Sequence, residues 1–125
     1  MTTTSATELV ALARAFTHQA DRRLGTSRYL AAVLLVRQAL EMALDALWDR
    51  KAPGLDGCTS RAQLVSLPYF LDDDELAGEV VYCWYRLSRA CHHDEYDLPP
   101  SQGEVQHLSG IVERLVAATA RPSAP

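Results

Sequence analysis

At 125 residues, with 48% apolar and 22% charged side chains, the chain has the length and composition of one folded domain; two substantial domains or a disordered polymer do not fit. Its net charge of -4 and pI near 5.5 exclude the broad basic field on which a dedicated nucleic-acid binder relies, so any RNA contact has to be local. No basic segment followed by an apolar one opens the sequence, and the longest aliphatic run, Leu30 to Val36, is far short of the about 20 residues that span a bilayer. A cytoplasmic protein without a membrane partner is expected.

Apolar residues recur at intervals of three and four along almost the whole chain, which predicts an all-α fold. A first helix is expected from Ser5 to Leu24, with Leu9, Leu12, Ala13, Phe16 and Ala20 on one stripe and Gly25 as its stop signal. The second, from Thr26 to Lys51, carries Leu30, Val33, Leu34, Leu40, Leu44, Leu47 and Trp48; as the longest and most apolar it is predicted to be central. Pro53-Gly-Leu-Asp-Gly57 turns the chain, and a short helix from Thr59 to Leu67 is expected to end at Pro68. Asp72-Asp-Asp-Glu75 offers an N-cap followed three residues on by an acid, opening a helix to about His92. Pro99-Pro100 blocks its continuation. Ser101-Gln-Gly-Glu104 is a second capping-box match, opening a last helix to about Ala118 with Val105, Leu108, Val112 and Leu115 on its apolar stripe. Four long helices plus one short helix fit an up-and-down helical bundle, a single domain over residues 1–120 with a tail at 121–125.

Cys58, Cys83 and Cys91 are an odd set without metal-type spacing. On one helix Cys83 and Cys91 are separated by roughly 12 Å of rise, which forbids a mutual disulfide. Free, buried or partly buried thiols are expected. Trp48 and Trp84 read as core anchors.

The densest chemistry lies in Arg86-Leu-Ser-Arg-Ala-Cys-His-His-Asp-Glu-Tyr96. An arginine holds phosphate by bidentate, charge-assisted hydrogen bonds, and histidine is the side chain most readily used as acid and base near neutral pH. On an ideal helix Ala77, Val81, Trp84, Leu87, Ser88 and Cys91 share a core stripe, while Tyr82, Arg86, Arg89 and His93 project together on the opposite side. Within one chain Arg86 and His93 sit roughly 10 Å apart along the axis, too far to act together on one phosphate unless the helix unwinds or the long side chains bend inward. A two-fold homodimer pairing this stripe with its copy brings arginine and histidine of different chains together in a composite site. The other reading is a solvated face whose arginines are partnered by Asp94, Glu95 or Asp97.

No metal or cofactor is expected. His92 and His93 point about 100° apart on a helix, and neither Cys-x-x-Cys nor His-Glu-x-x-His occurs. Glu104-x-x-His107 matches a di-iron motif, but such bundles need it twice. Phosphate-binding glycine loops are absent, and Cys91 on the predicted core stripe is an inert thiol.

An arginine followed by four to six residues and a histidine at the end of a late helix resembles the HEPN superfamily, all-α nucleotide-binding and RNase domains of prokaryotic defence and toxin systems. Five residues separate Arg86 from His92 and six separate it from His93. The segment Val36-Arg-Gln-Ala-Leu-Glu41, with Arg37 and Glu41 as an i,i+4 pair, is similar to the corresponding helix of many HEPN domains. The resemblance implies metal-independent RNA cleavage, in which the ribose 2'-hydroxyl attacks the adjacent phosphate to leave a cyclic phosphate. In that scheme His92 or His93 is the acid or base, Arg86 helped by Arg89 neutralises the phosphorane, and Tyr82 or Tyr96 stacks on a base. It also implies a homodimer, RNA or nucleotide as ligand, and an antitoxin or accessory protein as partner. Leu87 follows Arg86 where catalytic members commonly carry a polar residue, and the fifth residue after Arg89 is Asp94 rather than a histidine. A non-catalytic helical dimerisation or interaction module with a degenerate Arg/His motif is the alternative.

Overall fold

The computed structural model describes residues 5–18, 25–92 and 100–120. They form α1 (Ala6–His18), α2 (Gly25–Lys51), a 3-10 turn (Pro53–Leu55), α3 (Ser60–Phe70), α4 (Asp74–Cys91) and α5 (Gln102–Ala120), with no strand among them. The all-α fold class is as expected. No helix of the described residues is long and apolar enough to cross a membrane.

Short polar side chains open the helices by taking up the backbone N–H groups that a first turn leaves unpaired. Ser5 Oγ accepts from Glu8 N at 3.1 Å, Thr59 Oγ1 from Ala62 N at 3.2 Å, and Ser101 Oγ from Glu104 N at 3.1 Å. Asp73, one residue later than the sequence pattern suggests, accepts from Leu76 N at 3.0 Å. Gly25 begins α2 rather than ending the first helix, and residues 19–24 lie outside the described set. Pro68 does not stop α3, which runs on to Phe70. The final turn closes through Leu71 N donating to Leu67 O at 3.0 Å, while Phe70 packs edge-on against Trp48 with ring centres 5.8 Å apart. That tertiary contact outweighs the hydrogen bond Pro68 cannot make.

α2 packs against α1, α4 and α5, as a central helix must, and α5 closes the ring by packing on α1 and α4. Across the α4–α5 seam Arg86 meets Glu104, Cys83 faces Leu108 and Glu79 meets Arg114, so these two helices run antiparallel. The enclosed core includes Val33, Val36, Leu40, Leu47 and Trp48 of α2, Val80 and Leu87 of α4, and Leu108, Ile111 and Leu115 of α5. Leu30 and Leu34 of α2 and Leu12 of α1, expected on the apolar stripes, are exposed. Ala32, Val36, Ala39 and Ala43 occupy the inward line of α2 instead, because three helices press against it and small residues let them approach.

Candidate functional site

α4 carries the Arg/His cluster, and its rotation in the bundle decides which of those side chains can act. The buried line is Leu76, Ala77, Val80, Cys83 and Leu87. Val81, Trp84, Ser88 and Cys91, expected in the core, are half-buried at its margin. The helix is therefore turned by about one residue relative to the expected stripe, because it is wedged between α2 and α5 and must bury two flanks rather than one. Burial pushes the Cys83 thiol up to about 12, so Cys83 is the inert core cysteine and Cys91 the marginal one. All three cysteines are unpaired.

The same rotation separates the residues expected to project together. Arg86 leans over the seam to α5, where Nε and Nη2 donate to Glu104 Oε2 and Oε1 at 2.5 and 2.7 Å. This fork is the bidentate geometry that holds a guanidinium most firmly, and both side chains are only about a quarter exposed, 22% and 24%. The partner of Arg86 in this pair is the acid of the second capping box; the other expected partners, Asp94, Glu95 and Asp97, lie outside the described residues. Glu104 still donates its backbone N–H to Ser101 Oγ, but its carboxylate accepts from Arg86. A carboxylate held this way is a poor metal ligand, and no group of three or more metal-ligating side chains occurs among the described residues.

Arg89 and Tyr82 are on the outward face, as expected. Tyr82 is 49% exposed and tilts against His107 of α5, ring centres 6.4 Å apart. His92 is exposed and caps α4, its N–H donating to Ser88 O at 3.1 Å with φ -91 and ψ 70. Six residues of helix put Arg86 and His92 about 120° apart in direction and about 9 Å apart along the axis. The two do not converge on a common point within one chain. His93 and Tyr96 lie outside the described residues.

Arg37 is a further cation at the edge of this region. Its Nε is 3.3 Å from Glu41 Oε1, the expected i,i+4 pair, and its guanidinium carbon stands 5.7 Å over the centre of the Trp84 ring. Trp84 is therefore a cation–π platform joining α2 to α4, whereas Trp48 is fully buried. The exposure of Tyr85, at 58%, is the feature sequence reasoning missed. It stands three residues from Tyr82 and four from Arg89, a helical spacing that could have placed it on their face.

Comparison with family models, with curated proteins and with solved structures finds no match to this chain.

Proposed function

We propose that this chain is an HEPN-like up-and-down helical bundle that serves as a dimerisation or interaction module, with Arg86 acting as a strut between helices rather than as a reagent. The Arg86–Glu104 fork carries this reading. An arginine that stabilises a phosphorane has to bring uncompensated positive charge to the developing anion. Glu104 compensates that charge across two hydrogen bonds, and a phosphate would have to displace a partly buried carboxylate to take its place. Leu87, fully buried beside the arginine, serves the core at a position where catalytic HEPN domains carry a polar group.

A second reading is favoured by exposed Arg89 and His92, one turn apart at the end of α4. In it the protein is a metal-independent endoribonuclease, or an RNA- or nucleotide-binding protein, of a toxin or defence system. His92 or His93 then moves the proton of the ribose 2'-hydroxyl, and Arg89 meets the phosphate.

Incubation of labelled RNA in excess EDTA separates the two. The interaction reading expects wild type and His92→Ala/His93→Ala to leave the RNA equally intact, with both chains equally helical. Cleavage by wild type alone, with cyclic-phosphate ends, would overturn it in favour of the ribonuclease.

A further inference from the structure

We propose that the cavity between the start of α1 and the ends of α2 and α5 binds a small amphiphilic anion, a carboxylate on a compact aliphatic tail. The site goes beyond the interaction reading above and does not depend on it.

The cavity has a volume of about 310 Å³, at the small end of the range in which ligands are held, and every residue lining it is among the described ones. Its wall is almost wholly apolar, built from Ala6 of α1, Met42, Ala43 and Ala46 of α2, and Val116 of α5. The three alanines leave the space, since a side chain that stops at Cβ does not fill a gap between helices. Two hydroxyls at the edge are taken up locally. Ser5 Oγ accepts from Glu8 N at 3.1 Å, and Thr119 Oγ1 donates to Leu115 O at 2.9 Å. A wall of this kind selects an aliphatic group.

Arg50 supplies the polar end. Its stem lines the wall, and Nη1 donates to Thr119 O at 2.8 Å, which places the guanidinium at the lip beside the end of α5. That carbonyl accepts a hydrogen bond but carries no net charge, so the charge of Arg50 stays uncompensated. Arg14, Arg37, Arg86 and Arg114 each face a carboxylate, whereas no acid among the described residues pairs with Arg50. Glu8, Asp45 and Asp49 stand close in sequence to the lining segments, yet none of them lines the cavity. The site is the reverse of the Arg86 fork. There a carboxylate of the protein neutralises the guanidinium; here the carboxylate comes from outside, on a tail that fits the apolar wall.

The volume limits that tail to about eight carbons, and the flexible Met42 side chain lets the wall adapt to it. Glu104 and Thr119 lie near opposite ends of α5, about 20 Å apart, so a ligand here leaves Arg86 and Glu104 undisturbed.

Methyl NMR of the full chain, titrated with sodium octanoate, tests the site. The signals of Ala43, Ala46 and Val116 should shift and saturate. Affinity should rise about four-fold per methylene from butanoate to octanoate and then level off as the cavity fills. Octylamine, with the same tail and the opposite charge, should bind roughly ten-fold more weakly. Arg50→Gln should weaken octanoate about ten-fold and leave octanol unchanged, and Arg50→Lys should recover most of that loss. Because Arg50 also holds the end of α5, a second variant acts on the wall alone: Ala46→Leu, at the exposed edge of the cavity, should fill it and abolish the octanoate response while helicity and unfolding temperature are retained. No saturable shift in these methyl groups, octylamine binding as tightly as octanoate, or an Ala46→Leu variant that responds like wild type would each overturn the proposal. Contacts from the same methyl groups to residues 1–4 or 121–125, with no response to octanoate, would overturn it in favour of the chain's own ends as the occupant.

Discussion

The two outward-looking sides of α4 use similar residues to opposite ends. On the flank facing α5, Glu79, Cys83 and Arg86 meet Arg114, Leu108 and Glu104 in turn, so polar and apolar groups find partners inside the protomer. On its outer side Gly78, Tyr82, Tyr85 and Arg89 form a line of exposed positions, from which Tyr82 still reaches His107 of α5. One line holds α4 to α5, and the other lies at the surface. What distinguishes them is about one residue of helix rotation, since Arg86 and Tyr85 are neighbours in sequence and belong to different lines.

The contrast should be largest when an inner and an outer residue on adjacent turns are truncated. Leu87 is 1% exposed, and Leu87→Ala leaves a cavity between α4 and the rest of the core that is expected to cost about 3 kcal/mol. Tyr85→Ala removes a larger side chain, yet at 58% exposure it should change protomer stability by less than about 0.5 kcal/mol, measured by urea unfolding at a concentration where the chain is monomeric. Equal losses would mean that Tyr85 belongs to the protomer core and that the two lines are not distinct.

A smaller effect is expected at the α4–α5 seam. Arg86→Ala strands a mostly buried Glu104 carboxylate and should cost about 2 kcal/mol, while Arg86→Ala/Glu104→Ala together should cost less than the sum, with a coupling of about 1 kcal/mol. The double-mutant cycle is read by denaturant unfolding. Additive losses would show that the fork contributes nothing as a pair and would leave Arg86 without its structural role.

Much of this arrangement was legible before any coordinates. The five helices, the centrality of α2, the Ser101 cap and the Arg37–Glu41 pair follow from periodicity and local spacing, because those interactions are made within a few residues of sequence. What the pattern missed depended on distant neighbours. α3 passes through Pro68 because Phe70 has Trp48 to pack on, some twenty residues away. Leu30 and Leu34 face outward although they are as apolar as the core, since only the packing of α1, α4 and α5 decides which side of α2 is covered. The candidate site suffered most. Tyr82 and Arg89 project as expected, but Arg86 parts from them because Glu104, eighteen residues on, competes for it. A helical wheel treats every residue of a stripe as equivalent, and a bidentate partner on the next helix breaks that equivalence.

The second ion pair of the seam sharpens the comparison further, because it lies closer to solvent than the first. Glu79 and Arg114 are joined by a fork whose Nη1–Oε1 contact is 3.0 Å, but the arginine is about half exposed. The hydrogen bond from Arg114 holds the Glu79 carboxyl below its ordinary value, and the pairing raises Arg114 in turn. A carboxylate whose folded value is depressed contributes stability above its unfolded value and loses it as the pH falls through the folded one. Glu79→Gln should therefore be less stable than wild type near neutral pH, and the difference should close on acidification through and below the ordinary glutamate range. Exposure screens this pair, so the effect should be the smallest of the three and should shrink in high salt, whereas the Arg86–Glu104 coupling should persist. Thermal unfolding of both variants at two pH values and two ionic strengths would show it. A Glu79→Gln difference that is independent of pH would mean that the pair is held by packing of its side-chain stems rather than by charge.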